Sequence, residues 1–116
     1  MRPPGFTHLH LHTEYSMLDG AARVEEVVAA VAADGQSAVA ITDHGVLYGA
    51  IDFYKAAVAA GVKPIIGMEA YLTPGSRFDR PPRREDTRYH ITLLASNETG
   101  YHNLVKLASR AFLEGF

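Results

Sequence analysis

Hydrophobic and polar positions in this chain repeat with two different periods. Residues 6–12 alternate, with His8, His10 and His12 on one set of positions and Thr7, Leu9 and Leu11 on the other. Successive side chains of an extended strand point to opposite faces, so this spacing predicts a first strand with an imidazole face and a core face. Ala21 to Asp34 then carries Val24, Val27, Val28 and Val31 at helical spacing, with Glu25 and Glu26 in the first turn and Gly35 as the stop. Ala38-Val-Ala-Ile-Thr42 is too brief for a helix and rich in β-branched residues, which predicts a strand delivering Asp43 and His44 at its C-terminal end. Tyr48 to Ala60, with Ile51, Tyr54 and Val58, predicts a second helix ended by Gly61.

Pro64 to Leu72 reads as a third strand with Glu69 near its end. Thr73 to Arg88, with four Pro or Gly residues (Pro74, Gly75, Pro81, Pro82) and five arginines, reads as a long loop. Tyr89 to Ala95 predicts a fourth strand whose His90, Thr92 and Leu94 share a face against Ile91 and Leu93. Ser96-Asn97-Glu98-Thr99 supplies N-cap candidates for a last helix, roughly Gly100 to Phe112, with Tyr101, Leu104 and Ala108 along its buried stripe. Strands separated by helices give an α/β order, and crossovers of this length imply parallel neighbours. His12, His44 and Glu69 all fall at or just beyond strand C-termini, the edge where parallel α/β folds gather catalytic groups.

Composition narrows the chemistry. At 116 residues with 47% hydrophobic and 21% charged positions, the chain suits one small globular domain. Eleven Lys and Arg against thirteen Asp and Glu give a net charge of −2, so any nucleic-acid contact must be local. The absence of Cys removes thiolate ligands and fits a reducing, cytoplasmic setting; no apolar stretch is long enough to span a bilayer. A metal here is held by imidazole nitrogen and carboxylate oxygen.

The candidate ligands are His8, His10, His12, Asp19, His44, Glu69 and His90, a set suited to zinc, manganese or iron rather than calcium or magnesium. They exceed what one tetrahedral ion needs, which implies two or three divalent ions, about 3.5–4 Å apart in two-metal hydrolases. Such a cluster activates water and neutralises phosphate. His8 is either a ligand or a residue that orients one, Asp19 either a ligand or a helix cap, and Asp43 either a turn residue or an acceptor for a neighbouring imidazole. Glu69 interrupts an apolar run, where a carboxylate is costly to bury unpaired. His102 opens the last helix away from any strand end and is read as solvated or capping.

The segments His10-Leu-His12-Thr with Asp19, Thr42-Asp43-His44-Gly45, Gly67-Met-Glu69-Ala-Tyr71 and Tyr89-His90-Ile-Thr-Leu-Leu resemble the first half of a PHP (polymerase and histidinol phosphatase) domain. Thr13-Glu-Tyr-Ser-Met-Leu-Asp-Gly-Ala21, Tyr48-Gly-Ala50, Gly61-Val-Lys-Pro-Ile-Ile-Gly67 and Pro74-Gly-Ser-Arg-Phe78 extend the likeness. They are similar to the N-terminal PHP domains of bacterial DNA polymerase III alpha subunits, the C-family replicative polymerases. The resemblance implies a distorted seven-stranded βα barrel with a metal cluster at its strand C-termini. Position by position, it carries the metal-ligand role onto His10, His12, Asp19, His44, Glu69 and His90.

The same resemblance expects further ligands, a His and an Asp-x-His pair, which nothing after His90 supplies. Four strands cannot close such a barrel, so residues 1–116 are expected to be its N-terminal portion, with the polymerase carboxylates outside it. The implied function is DNA replication, with a multi-metal phosphoesterase site giving 3'-5' exonuclease proofreading in the full protein. The partners implied are DNA, reached through the full-length polymerase, a proofreading subunit and a sliding clamp. A non-catalytic docking domain is the main alternative, and a free-standing histidinol phosphatase a weaker one. Arg77, Arg80, Arg83, Arg84 and Arg88 form either a DNA or domain contact or a solvated loop.

Overall fold

The structure, a computed structural model, describes residues 6–16, 20, 22–76, 78 and 89–115. Asp19 and the five arginines of the loop lie outside the described residues.

Helix α1 spans Val24–Ala33 and turns Val24, Val28 and Val31 into the core, as its apolar spacing requires. Gly35, at φ 76°, lets the chain reverse while Gly35 N–H and Gln36 N–H donate to the Ala32 and Val31 carbonyls that end the helix. Strand β1, Ala38–Ile41, follows, then helix α2, Ala50–Ala59, and strand β2, Lys63–Leu72. β1 and β2 pair in parallel with Ala38 opposite Lys63 and Ile41 opposite Ile66, α2 being the crossover that parallel pairing demands. Val24, Val28, Val31, Val39, Ile41, Phe53, Ala57 and Val62 form one core cluster where α1, β1 and α2 meet.

Strand β3, Tyr89–Leu94, joins the other side of β2, giving a three-stranded sheet in the order β1-β2-β3. It runs antiparallel, which corrects the expectation of four parallel strands. The physical reason lies in the connection: a parallel return needs a crossover, and residues 73–88 carry no helical pattern with which to build one. Helix α3, Glu98–Arg110, is capped by the Asn97 side chain, which accepts the Gly100 N–H at 2.9 Å. Leu104 is its buried residue, with Tyr101 and Ala108 half-buried beside it, and a π-helical turn over Ala111–Gly115 follows.

Two further expectations change. Residues 6–12 run beside β1 without forming a regular strand. Ala40 N–H donates to His8 O and Thr42 N–H to Leu11 O, so a two-residue step in β1 spans three residues of the partner segment. That additional residue breaks the strict alternation. Leu11 packs against the core while Leu9 stays 48% exposed, and His8 turns its ring edge-on to Phe6. In α2 the spacing Ile51, Tyr54, Val58 is helical but faces outward, at 63%, 55% and 55% exposure, whereas Ala50, Phe53 and Ala57 are buried. The helix is apolar on two sides, and the core takes the side bearing small residues around one Phe, which lets α2 approach closely. An apolar groove of about 990 Å³ lies along this outer stripe between α2, the start of β2 and α3, away from the histidines.

Candidate metal centre

Beyond Ile41 the parallel pairing of β1 with β2 persists for two more residues. Glu69 N–H donates to Asp43 O at 2.9 Å and Gly45 N–H to Glu69 O at 2.8 Å, which bridges His44 to Glu69. The pairing places the His44 ring beside the Glu69 carboxylate. Gly45, at φ 63°, then breaks away; a side chain there would come within 3.2 Å of the Tyr71 ring.

Glu69 is the centre of the site. His10 Nε2 donates to its Oε2 at 3.1 Å, His12 Nε2 donates to the same oxygen, and His90 Nδ1 donates to Oε1 at 2.7 Å. His44 Nδ1 lies 3.5 Å from Oε2. The carboxylate is almost fully buried, while His12 and His44 are mostly enclosed and His10 and His90 form the open rim, at 56% and 44% exposure. The His12 and His44 ring centroids are 4.1 Å apart.

Burial by itself would raise the Glu69 pKa. Hydrogen bonds from His10, His90 and His12, and the charge of His44, outweigh it and hold the carboxyl at about 2, well below its ordinary 4.5. Glu69 is therefore a fixed anion at neutral pH, and four imidazoles converge on it.

These side chains form two potential ligand groups, His10–His12–Glu69 and His44–Glu69–His90, with ligand atoms in each within 4.8 Å of one another. Glu69 belongs to both. A carboxylate flanked by two pairs of imidazoles is a donor set that zinc, manganese or iron would accept, with His10, His12 and His44 nearest Oε2 and His90 against Oε1. The residues present thus fit a divalent metal site.

Of the expected residues, His10, His12, His44, Glu69 and His90 come together, and His8 belongs to neither group. The Asp43 carboxylate accepts hydrogen bonds from Thr13 and Ser16. It is buried, and Thr13, the next residue after His12, donates its backbone N–H to it. His102 sits on the exposed surface of α3, 3.7 Å from Glu98, outside the cluster as read.

Tyr71 escaped the reading of individual residues. Its ring lies nearly parallel to that of His44, at 12° and 6.2 Å between centroids, and edge-on to His90 at 4.9 Å. The signal was available, since Tyr71 stands two residues after Glu69 on a strand and so shares its face.

Comparison with known proteins identifies the family. The PHP domain family model matches residues 8–116. The DNA polymerase III subunit alpha of Thermus aquaticus is 54% identical over 115 residues, covering 96% of this chain and 9% of that protein. Its counterparts from Borreliella burgdorferi and Aquifex aeolicus are 50% and 48% identical, each over 96% of this chain and 10% of their own length. The chain thus spans about a tenth of the length of the curated relatives it matches. Two solved structures share the fold. An amidohydrolase from Chromobacterium violaceum has a TM-score of 0.59 at 24% identity, over 86% of this chain and 32% of that one. A proposed metal-dependent phosphoesterase from Bifidobacterium adolescentis has a TM-score of 0.59 at 22% identity, over 90% and 34%. The family match takes in every strand and helix described above together with Glu69 and the four histidines that meet at it, and the chain belongs to the PHP domain family.

Proposed function

We propose that this chain is the N-terminal part of a PHP domain in a bacterial replicative DNA polymerase alpha subunit, and that its cluster holds divalent ions for phosphoester hydrolysis. The observation that carries the reading is the sharing of one buried carboxylate, Glu69, by two imidazole pairs. His10 and His12 serve one ion position, and His44 and His90 the other. Asp19 is a further ligand in this proposal.

Ions held there supply Lewis acidity at a phosphoryl group. The chain's own part is to keep Glu69 ionised, to aim four ring nitrogens at one point and to leave His10 and His90 on an open rim that a strand end can reach. The substrate class is the 3'-terminal phosphodiester of DNA, in a cytoplasmic replisome, with the loop arginines Arg77, Arg80, Arg83, Arg84 and Arg88 as contacts to the phosphate backbone.

The test uses the full-length protein. Replacing His12 with Ala abolishes divalent-metal-dependent release of a mispaired 3' nucleotide and leaves primer extension intact; retention of both activities contradicts the proposal. A second reading, a docking domain in which metal serves only the fold, is favoured by the exposed apolar stripe Ile51, Tyr54 and Val58. Under that reading chelation lowers the melting temperature, and exonuclease activity is absent from the wild-type subunit as well.

A further inference from the structure

Beside the imidazoles lies a buried polar cluster. Thr13 and Thr42 are 0% exposed, Asp43 2% and Ser16 4%. Asp43 Oδ1 accepts the Thr13 N–H at 2.6 Å and the Ser16 hydroxyl at 2.8 Å, while Oδ2 accepts the Thr13 hydroxyl at 2.8 Å. Ser16 Oγ in turn accepts the His44 N–H at 3.1 Å. A buried carboxylate is tolerated when it is supplied with donors in this way.

The place of this cluster in the pairing gives it consequence. Thr42 N–H donates to Leu11 O at 2.8 Å, and in a regular parallel ladder the next donor, Thr13 N–H, would be aimed at the Thr42 carbonyl. It goes to the Asp43 side chain instead. The ladder therefore ends on a side chain, at the point where the N-terminal segment and the end of β1 each deliver a ring. Thr13 follows His12 directly and Asp43 precedes His44 directly. Those two rings belong to different ligand groups and stand 4.1 Å apart over Glu69.

We propose that Asp43 is a positioning residue: by clamping Thr13 and Ser16 it fixes His12 against His44, and so sets the spacing between the two ion positions that share Glu69. Asp43 touches no ion itself and acts through the backbone on either side of it. The inference rests on the metal reading above.

The experiment uses the full-length protein, with Co(II) alone as the probe. Affinity is read by equilibrium dialysis, coordination geometry by the visible absorption bands, and stability by the melting temperature of the metal-free protein. In Asp43→Asn the negative charge is lost and the Thr13 hydroxyl must accept from an amide N–H instead of donating to a carboxylate oxygen, which weakens the clamp at nearly constant volume. It is expected to weaken Co(II) binding by about 10- to 100-fold and to shift the bands. The control, Val28→Ala, lies in the α1 core and is expected to lower the melting temperature while leaving affinity and bands alone.

Asp43→Asn that melts earlier but keeps wild-type affinity and bands overturns the inference and leaves the metal reading standing. Ser16→Ala, which removes one donor to Asp43 and the acceptor for His44 N–H, decides the matter if Asp43→Asn does not fold. A smaller loss in the same direction with shifted bands supports the clamp, and unchanged binding overturns it. Wild-type protein that takes up no Co(II), or takes it up equally after His12→Ala, overturns the metal reading and this inference together.

Discussion

His90 reaches Glu69 diagonally across the sheet. In the β2–β3 ladder Glu69 stands opposite Thr92 and His90 opposite Tyr71, yet His90 Nδ1 donates to Glu69 Oε1 at 2.7 Å. The contact exists because β3 runs against β2: the first turn-in of β3 meets the last residues of β2, where His44 and the N-terminal segment also arrive. A parallel β3 would carry the second residue of the strand to the opposite end of the sheet, away from the carboxylate.

His90→Ala accordingly removes one donor from the His44–Glu69–His90 group and spares His10, His12 and their contacts with Glu69. Metal analysis of the full-length protein after exhaustive dialysis is expected to show one fewer tightly held ion than wild type. An unchanged ion count would exclude His90 from the site.

Stability of the metal-free protein is expected to depend on pH through Glu69. Its carboxyl sits at about 2 when folded against an ordinary 4.5, so between those values the unfolded chain binds more protons than the folded one. The contribution is complete above about pH 4.5 and is lost as the pH falls toward 2. Urea titrations at several pH values from 5 to 2, run on wild type and Glu69→Gln, check this. The variant should show a flatter decline in that window, and parallel curves would contradict it.

Gly67 packs between β3 and Thr42, the residue that follows β1. A Cβ there would stand 2.7 Å from the Leu93 carbonyl oxygen, 2.7 Å from Leu94 Cδ2 and 2.9 Å from Thr42 Cγ2. The backbone oxygen cannot yield without shifting β3 and His90 with it. Gly67→Ala is expected to destabilise by about 1–3 kcal/mol, measured by urea denaturation, and to weaken metal binding as well. A neutral effect on both would contradict the close approach.

The two apolar sides of α2 make opposite predictions. Phe53 is fully buried, so Phe53→Ala should cost about 3–5 kcal/mol of folding stability. Ile51 is 63% exposed, and Ile51→Ser should stay within about 0.5 kcal/mol by the same urea assay. A large loss at Ile51 would mean that the outer stripe is covered.

Much of the site was legible because its residues announce themselves chemically. Three alternate histidines, a His after a β-branched strand and a Glu inside an apolar strand are each hard to explain as surface or core, and four of those five residues meet at one point. Secondary structure followed from periodicity wherever an element had one apolar side, as in α1 with Val24, Val28 and Val31. Reading failed where the pattern was degenerate. α2 has apolar residues on two sides, and spacing alone does not say that Phe53 rather than Tyr54 turns inward. The direction of β3 depends on its connection, and strand residues such as Ile91 and Leu93 alternate identically in either direction. The role of Asp43 depended on an interrupted ladder: Thr13 N–H meeting a side chain is a tertiary event that no local pattern encodes.

The central claim, that Glu69 is shared between two ion positions, is tested most directly by anomalous diffraction at the zinc edge from crystals of the full-length protein loaded with zinc. The account predicts two peaks flanking the Glu69 carboxylate, about 3.5–4 Å apart, one within about 2.1 Å of the His10 and His12 nitrogens and the other beside those of His44 and His90. A map with one peak or none within coordinating distance of Glu69 would contradict it.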